Sequence, residues 1–259
     1  MASLYYQVPQ FSLRFIPVWQ RNFLVWRKLA FTSVVGNIAE PLITLVAFGY
    51  GLGSLLQHID GVPYIAYLAS GAICMSVMMA TTFEALYSAF SRMHVQKTWD
   101  ALLNTPLDLD DIVLAEMLWA ASKSLISGIA ILVVLLALGI GWYPGALLVP
   151  PLLFLVGITF ASLALVINAL AKGYDFFTYY FTLVLTPMIF LSGVYYPVTQ
   201  LPGWLQMVAA YLPLSAAVHL VRPLLLGQMP EQVLQPLLLL LAYCVTGFTW
   251  PPCSRVADY

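Results

Sequence analysis

The feature that most constrains this chain is a series of apolar runs, each about as long as a bilayer is thick and almost free of charge. Six stand out, at roughly 30–56, 64–90, 112–140, 146–171, 176–194 and 233–248. A helix needs about 20 such residues to cross the hydrocarbon core. The last run is short for a full crossing, and Pro251 and Pro252 stop it. Only 8% of the residues are charged and 62% are hydrophobic, where a soluble domain has about 25% and ~45–50%. That is too little charge to coat a water-exposed surface. A soluble enzyme, a nucleic-acid binder and a disordered chain are excluded, and an all-α membrane protein with six transmembrane helices is expected.

Lysine and arginine set the expected orientation. Arg14, Arg21, Arg27 and Lys28 precede the first run, Arg92 and Lys97 follow the second, Lys172 follows the fourth and Arg255 lies in the tail. The opposite side has Arg222, and Lys123 falls inside the third run. Both termini are therefore expected in the cytoplasm. The early basic residues, scattered among aromatics, do not form a cleavable signal peptide. The cysteines show neither a disulfide framework nor a metal spacing. With no internal repeat and no linker, the expected organisation is a cytoplasmic N-terminus (1–29), one membrane domain (30–248) and a C-terminal tail (249–259). Within the domain, 195–232 is broken by five prolines. Its apolar piece 215–227 is too short to span and is expected to be re-entrant or interfacial.

Two segments are amphipathic. In 15–28, Phe15, Ile16, Trp19, Phe23 and Trp26 share one helical arc, while Arg14, Arg21 and Lys28 fall on the opposite one. This predicts an interfacial helix with Pro17 in its first turn. It serves either as a positive-inside anchor or as a lever between a cytoplasmic partner and the spans. In 91–106, Val95, Trp99 and Leu102 follow an i, i+4, i+7 spacing among polar residues. Such a ridge either rests on lipid headgroups or fits a groove on another protein. Asp108, Asp110 and Asp111 then suit the start of the third helix.

Charges inside a membrane are costly, and by default they are functional or paired. Glu84 and Glu116 stand near the ends of their spans, where snorkelling accounts for them. Glu40 and Lys123 are deeper, roughly 15 Å and 17 Å from the cytoplasmic helix starts at 1.5 Å per residue. An ion pair between them is geometrically allowed. Tyr174, Tyr179, Tyr180, Tyr195 and Tyr196 read as interface belts or, alternatively, as a stacking surface for a sugar. His58, His94 and His219 are dispersed and suggest no metal site.

No phosphate-binding G-x-x-x-x-G-K-[ST] occurs, so the chain is not expected to bind ATP itself. Neither G-x-S-x-G nor H-E-x-x-H is found, which weakens a membrane hydrolase. A membrane-embedded enzyme using Glu40, Lys123 or a histidine remains the alternative from a different class.

Four stretches carry a family resemblance: FLVWRKLA (23–30), GVPYIAYLASG (61–71), TFEALYSAFSRMHVQKTWDALLNTPLDLDDIVLAE (82–116) and LSGVYYPVTQLPGWLQ (191–206). Over residues 12 to 245 the chain resembles the permease subunit of bacterial ABC-2 type exporters, and within it the lipo-oligosaccharide-exporting subfamily. The resemblance implies six spans, a homodimer, short outer re-entrant helices within 195–232, and a separate ABC ATPase dimer that binds the ATP and magnesium. Segment 15–28 would be the connecting helix, with Arg14, Trp19, Arg21, Phe23, Trp26 and Lys28. Segment 93–103 would be the coupling helix, presenting Met93, Val95, Trp99, Leu102 and Leu103 to the ATPase. The cargo would be a glycolipid or lipo-oligosaccharide, with efflux of small amphiphiles as the same-class alternative. The ending WPPCSRVADY departs from the family's longer last span and basic tail, which leaves open whether the terminus is truncated or frame-altered.

Overall fold

The computed structural model describes residues 13–56, 58–59 and 61–249; the last ten residues, and with them most of the atypical tail, lie outside this range. Eleven α-helices are found among the described residues: α1 (Phe15–Arg27), α2 (Ala30–Gly51), α3 (Tyr64–Phe83), α4 (Thr98–Leu103), α5 (Leu109–Ala137), α6 (Val149–Leu170), α7 (Asp175–Tyr180), α8 (Thr186–Leu191), α9 (Gly203–Ala210), α10 (Pro213–Leu225) and α11 (Leu234–Thr249). One departure from an all-α chain is a two-residue ribbon pairing His58 with Pro63 and Ile59 with Val62.

Helix α3 is the centre of the bundle. It is buried along most of its length and packs against α2, α5, α6 and α10. It does not stop at Phe83 but continues to Val95 through two widened π turns, Glu84–Ser88 and Ser91–Val95. Lys97 then takes a left-handed φ of 50° and reverses the chain into α4. This conformation is uncommon for a residue with a Cβ and is held only where the surroundings demand it. Asp108 and Asp111 close a reciprocal capping box at the start of α5, which satisfies helix N–H groups that hydrocarbon would leave bare. Helices α5 and α6 approach closely at Gly157, where a Cβ would stand 3.1 Å from the Ala121 Cα. Small residues of this kind let membrane helices gain dispersion contact where no hydrophobic effect drives them together.

Four helical segments are long and apolar enough to cross a membrane: Ala30–Ser54, Tyr64–Val95, Leu109–Ala137 and Pro144–Leu170. The expected fifth and sixth spans form shorter apolar helices, Asp175–Leu191 and Leu234–Thr249. The fifth is further interrupted by a π turn at Phe181–Leu185. Helices α9 and α10 meet at a bend of 83° and form either one broken span or a re-entrant pair. The proline-broken stretch thus folds into two short helices, in keeping with its sequence.

Contacts separate the bundle into two ends. One gathers α1, residues 84–109 and the start of α7. The other gathers the ribbon, the 138–148 connection, the 193–196 turn and α10. At this second end Trp142, Tyr143, Trp204 and Tyr211 are exposed, as aromatic residues at a membrane–water interface are.

Candidate functional site

At the α1 end, four charged side chains meet inside the protein. Glu84, on the first π turn, and Glu116, on α5, are 4% and 2% exposed; Arg92 and Lys123 are 13% and 19% exposed. Arg92 grips Glu116 with two nitrogens, its Nε lying 2.9 Å from Oε1, and donates from Nη1 and Nη2 to Glu84 Oε1 at 3.1 Å. The Trp119 indole donates to the same oxygen at 2.9 Å. The other Glu84 oxygen accepts from Lys123 Nζ at 2.6 Å and Ser88 Oγ at 2.9 Å. Two carboxylates and two cations cancel, which makes burial tolerable where a lone charge would not be. The π turns contribute to the geometry. At 100° per residue, positions eight apart on an α-helix are about 80° out of register; widened turns under-rotate the chain and bring Glu84 and Arg92 together.

This arrangement corrects two sequence expectations. Glu84 and Glu116 do not snorkel; they are the buried acceptors of the cluster. Lys123 pairs with Glu84 and not with Glu40, because the π turn that continues α3 brings the Glu84 carboxylate within 2.6 Å of its ammonium. Glu40 is exposed, and no cation stands within ion-pair distance of it among the described residues. Glu40 and Lys123 share only the walls of a cavity between α2, α3 and α5.

The two amphipathic segments touch both the cluster and each other. Trp19, Phe23 and Trp26 set their rings around Trp119 at centroid distances of 6.4, 6.3 and 5.8 Å, and Trp19 Nε1 donates to Ser122 Oγ on α5 at 3.2 Å. The basic arc holds the 98–106 connection: Arg21 donates to Thr98 Oγ1 at 3.4 Å and Arg14 to the Pro106 carbonyl at 3.0 Å. Lys28 is exposed beyond the last turn. Helix α1 is therefore packed on protein along both of its arcs. Within the connection, Trp99 is 5% exposed and turned into the chain's own core, not outward toward a partner. Its bulk makes it the anchor of α4. Met93 and Leu102 are half-buried against that core, and the outward apolar groups are Val95 and Leu103.

A second arginine organises the far end. Arg222 on α10 donates to the Gly193 carbonyl at 2.8 Å and to Ser70 Oγ at 3.0 Å, with its guanidinium 3.7 Å from the Tyr67 ring centroid. Tyr67 donates to the same carbonyl at 3.0 Å. Gly193 is at φ +72°, with Val198 where a Cβ would be, so only glycine offers that carbonyl without strain. The tyrosines divide. Tyr174 stacks on Tyr87 at 6.0 Å and Tyr180 is buried, while Tyr179 is exposed; Tyr195 lies between Phe48 and Phe190 and Tyr196 beside it is half-buried.

The sequence reading placed Arg92 on a polar face and overlooked Trp119 as a donor. One signal was available: inside runs 64–90 and 112–140 the charges are Glu84, Glu116 and Lys123, one cation short of balance, and Arg92 stands two residues beyond the first of these runs.

Residues 14–226 match the ABC-2 type transporter family. The chain is 47% identical over 241 residues to a nodulation protein J of Rhizobium leguminosarum bv. trifolii, covering 93% of this chain and 92% of the relative. It is 44% identical over 221 residues to that of Sinorhizobium fredii (strain NBRC 101917 / NGR234), covering 85% and 84%. A more distant relative, the inner membrane transport permease YadH of Escherichia coli (strain K12), is 24% identical over 189 residues, 73% of each chain.

Proposed function

The chain belongs to the ABC-2 type transporter family as a permease subunit, and from that premise we propose that it exports a lipo-oligosaccharide or related glycolipid across the inner membrane, driven by ATP hydrolysed on a separate subunit. The partner would be an ABC ATPase of the nodulation protein I type, and the permease would act as a homodimer. Relatives named nodulation protein J support this cargo class. The basic residues support cytoplasmic termini. The proposed topology has six crossings, with Asp175–Leu191 and Leu234–Thr249 completing the set and α9–α10 dipping in from the outer face.

The observation that carries the coupling part of this reading is the Arg92 cluster. It ties the segment entering α4 to α3 and α5, and α1 clasps the same segment and packs on Trp119. A push on α4 by an ATPase would be felt directly in two central spans. Hydrolysis chemistry would remain with the partner, and this chain would bind neither ATP nor magnesium.

Co-expression with an ABC ATPase, followed by uptake of an N-acylated chitin tetramer into inverted vesicles, tests the proposal. ATP-dependent uptake is expected. Uptake of small apolar drugs alone would select efflux, and substrate turnover by the isolated chain would overturn transport. For topology, single cysteines replacing His58 or Gln200 in a cysteine-free background should react with an impermeant maleimide on intact cells. Cysteines at Gln96 or Lys172 should react only after lysis; the reverse pattern would invert the orientation.

A further inference from the structure

The cavity between α2, α3 and α5 has a volume of about 140 Å³ and joins two kinds of surface. Pro41, Met75, Met79 and Phe83 supply apolar walls. Between them stand Glu40, Asn37, Ser76 and Lys123. Asn37 uses its Nδ2 on Ser127 Oγ at 2.9 Å, which leaves its amide oxygen as an acceptor. Lys123 gives one proton to Glu84 and has two others. The site is thus rich in acceptors and lies within helices that carry the chain through hydrocarbon, where unsatisfied polar groups are expensive. The neutral quartet leaves the Glu40 carboxylate as added negative charge at the exposed rim.

We propose that this cavity, open on one side, takes one sugar ring of the cargo's head while the rest of the head and the acyl chain stay outside it. A pyranose ring presents apolar C–H faces and a rim of hydroxyl donors. The methionine and phenylalanine walls suit the faces, and Glu40 and Asn37 accept from the rim. Lys123 belongs both to the cavity wall and to the cluster that holds Arg92, so an occupied cavity and the coupling segment are two ion pairs apart, Lys123–Glu84 and Glu84–Arg92.

This inference rests on the glycolipid reading. The experiment measures stimulation of ATPase activity in the complete permease–ATPase complex, in nanodiscs, by an N-acylated chitin tetramer. Saturable stimulation of the unsubstituted complex is expected. Glu40→Gln should raise the half-saturating concentration about tenfold, as loss of one charge-assisted hydrogen bond does. Ala80→Leu, which narrows the cavity without touching a charge, should raise it likewise, and Ile43→Ala, exposed on α2 away from the cavity, should not. Lys123→Met should lower the maximal stimulation more than it shifts half-saturation, and Lys123→Arg should restore it. Unchanged half-saturation in both Glu40→Gln and Ala80→Leu, with a responsive unsubstituted complex, overturns the site and leaves the glycolipid reading intact. Stimulation by dodecyltrimethylammonium and not by the tetramer overturns both.

Discussion

The molecule buries an arginine at each end, and the two are held in different ways. Arg92 is enclosed by the side-chain carboxylates of Glu84 and Glu116, which sit on different helical segments. Arg222 is held by the backbone carbonyl of Gly193, the Ser70 hydroxyl and the face of Tyr67. The first arrangement joins separate helices through side-chain groups that can exchange partners. The second fixes a helix to the backbone of a turn whose shape depends on one glycine. The α1 end is suited to transmitting displacement, and the α10 end to resisting it.

Removing Arg92 should break this contrast most severely. Arg92→Met leaves two buried carboxylates short of a cation and should cost about 3–5 kcal/mol, the usual penalty for breaking a buried ion pair. Thermal unfolding in nanodiscs measures it, and a loss under about 1 kcal/mol would mean that the carboxylates are solvated. Adding Glu116→Gln, which leaves the Glu84–Lys123 pair intact, should recover much of the loss. At the other end, Arg222→Lys keeps the charge but gives up the planar contact with Tyr67 and part of the hydrogen bonding. About 1–2 kcal/mol is expected, and a loss equal to that of Arg92→Met would erase the distinction. A double-mutant cycle refines the cluster itself. Glu84→Gln with Lys123→Met should show a coupling of about 1–3 kcal/mol, while Glu40→Gln with Lys123→Met should be additive within ~0.5 kcal/mol. The smallest stability effect belongs to Val95→Ser with Leu103→Ser. These outward residues should change stability by less than about 0.5 kcal/mol, yet a pull-down should retain less of the co-expressed ATPase. Full retention would move the docking surface elsewhere.

Much of the architecture was legible because a bilayer makes hydropathy decisive. The four long helices, the proline-broken pair and α1 stand where the sequence reading put them, but the expected 93–103 helix is split at Lys97 into the end of a π turn and α4. The partners of individual charges were not legible. A Glu40–Lys123 pair was allowed on depth alone, but depth does not say which neighbouring carboxylate reaches a lysine. Trp99 was taken for an outward ridge because i, i+4, i+7 spacing identifies an arc without saying what it faces. Two sides of α4 were open to an apolar arc, and the chain's own core took the tryptophan. Arg92 was hidden by a change of pitch. Periodicity at 100° per residue misplaces every side chain beyond a π turn.

That change of pitch carries a consequence for how the sequence tolerates insertions and deletions. Each π turn between Glu84 and Val95 closes its hydrogen bond over five residues instead of four, so the helix holds surplus length there. Deleting one residue from 85–91 would let the helix heal to ordinary pitch with its apolar length nearly intact, and insertion into the membrane would survive. At ordinary pitch Glu84 and Arg92, then seven positions apart, would lie about 20° out of register, so Arg92 would still face its carboxylates and α4 would keep nearly its present heading. A deletion that would be a phase error of about 100° in a regular stretch of helix is here absorbed, leaving the residues beyond it in phase with the bundle.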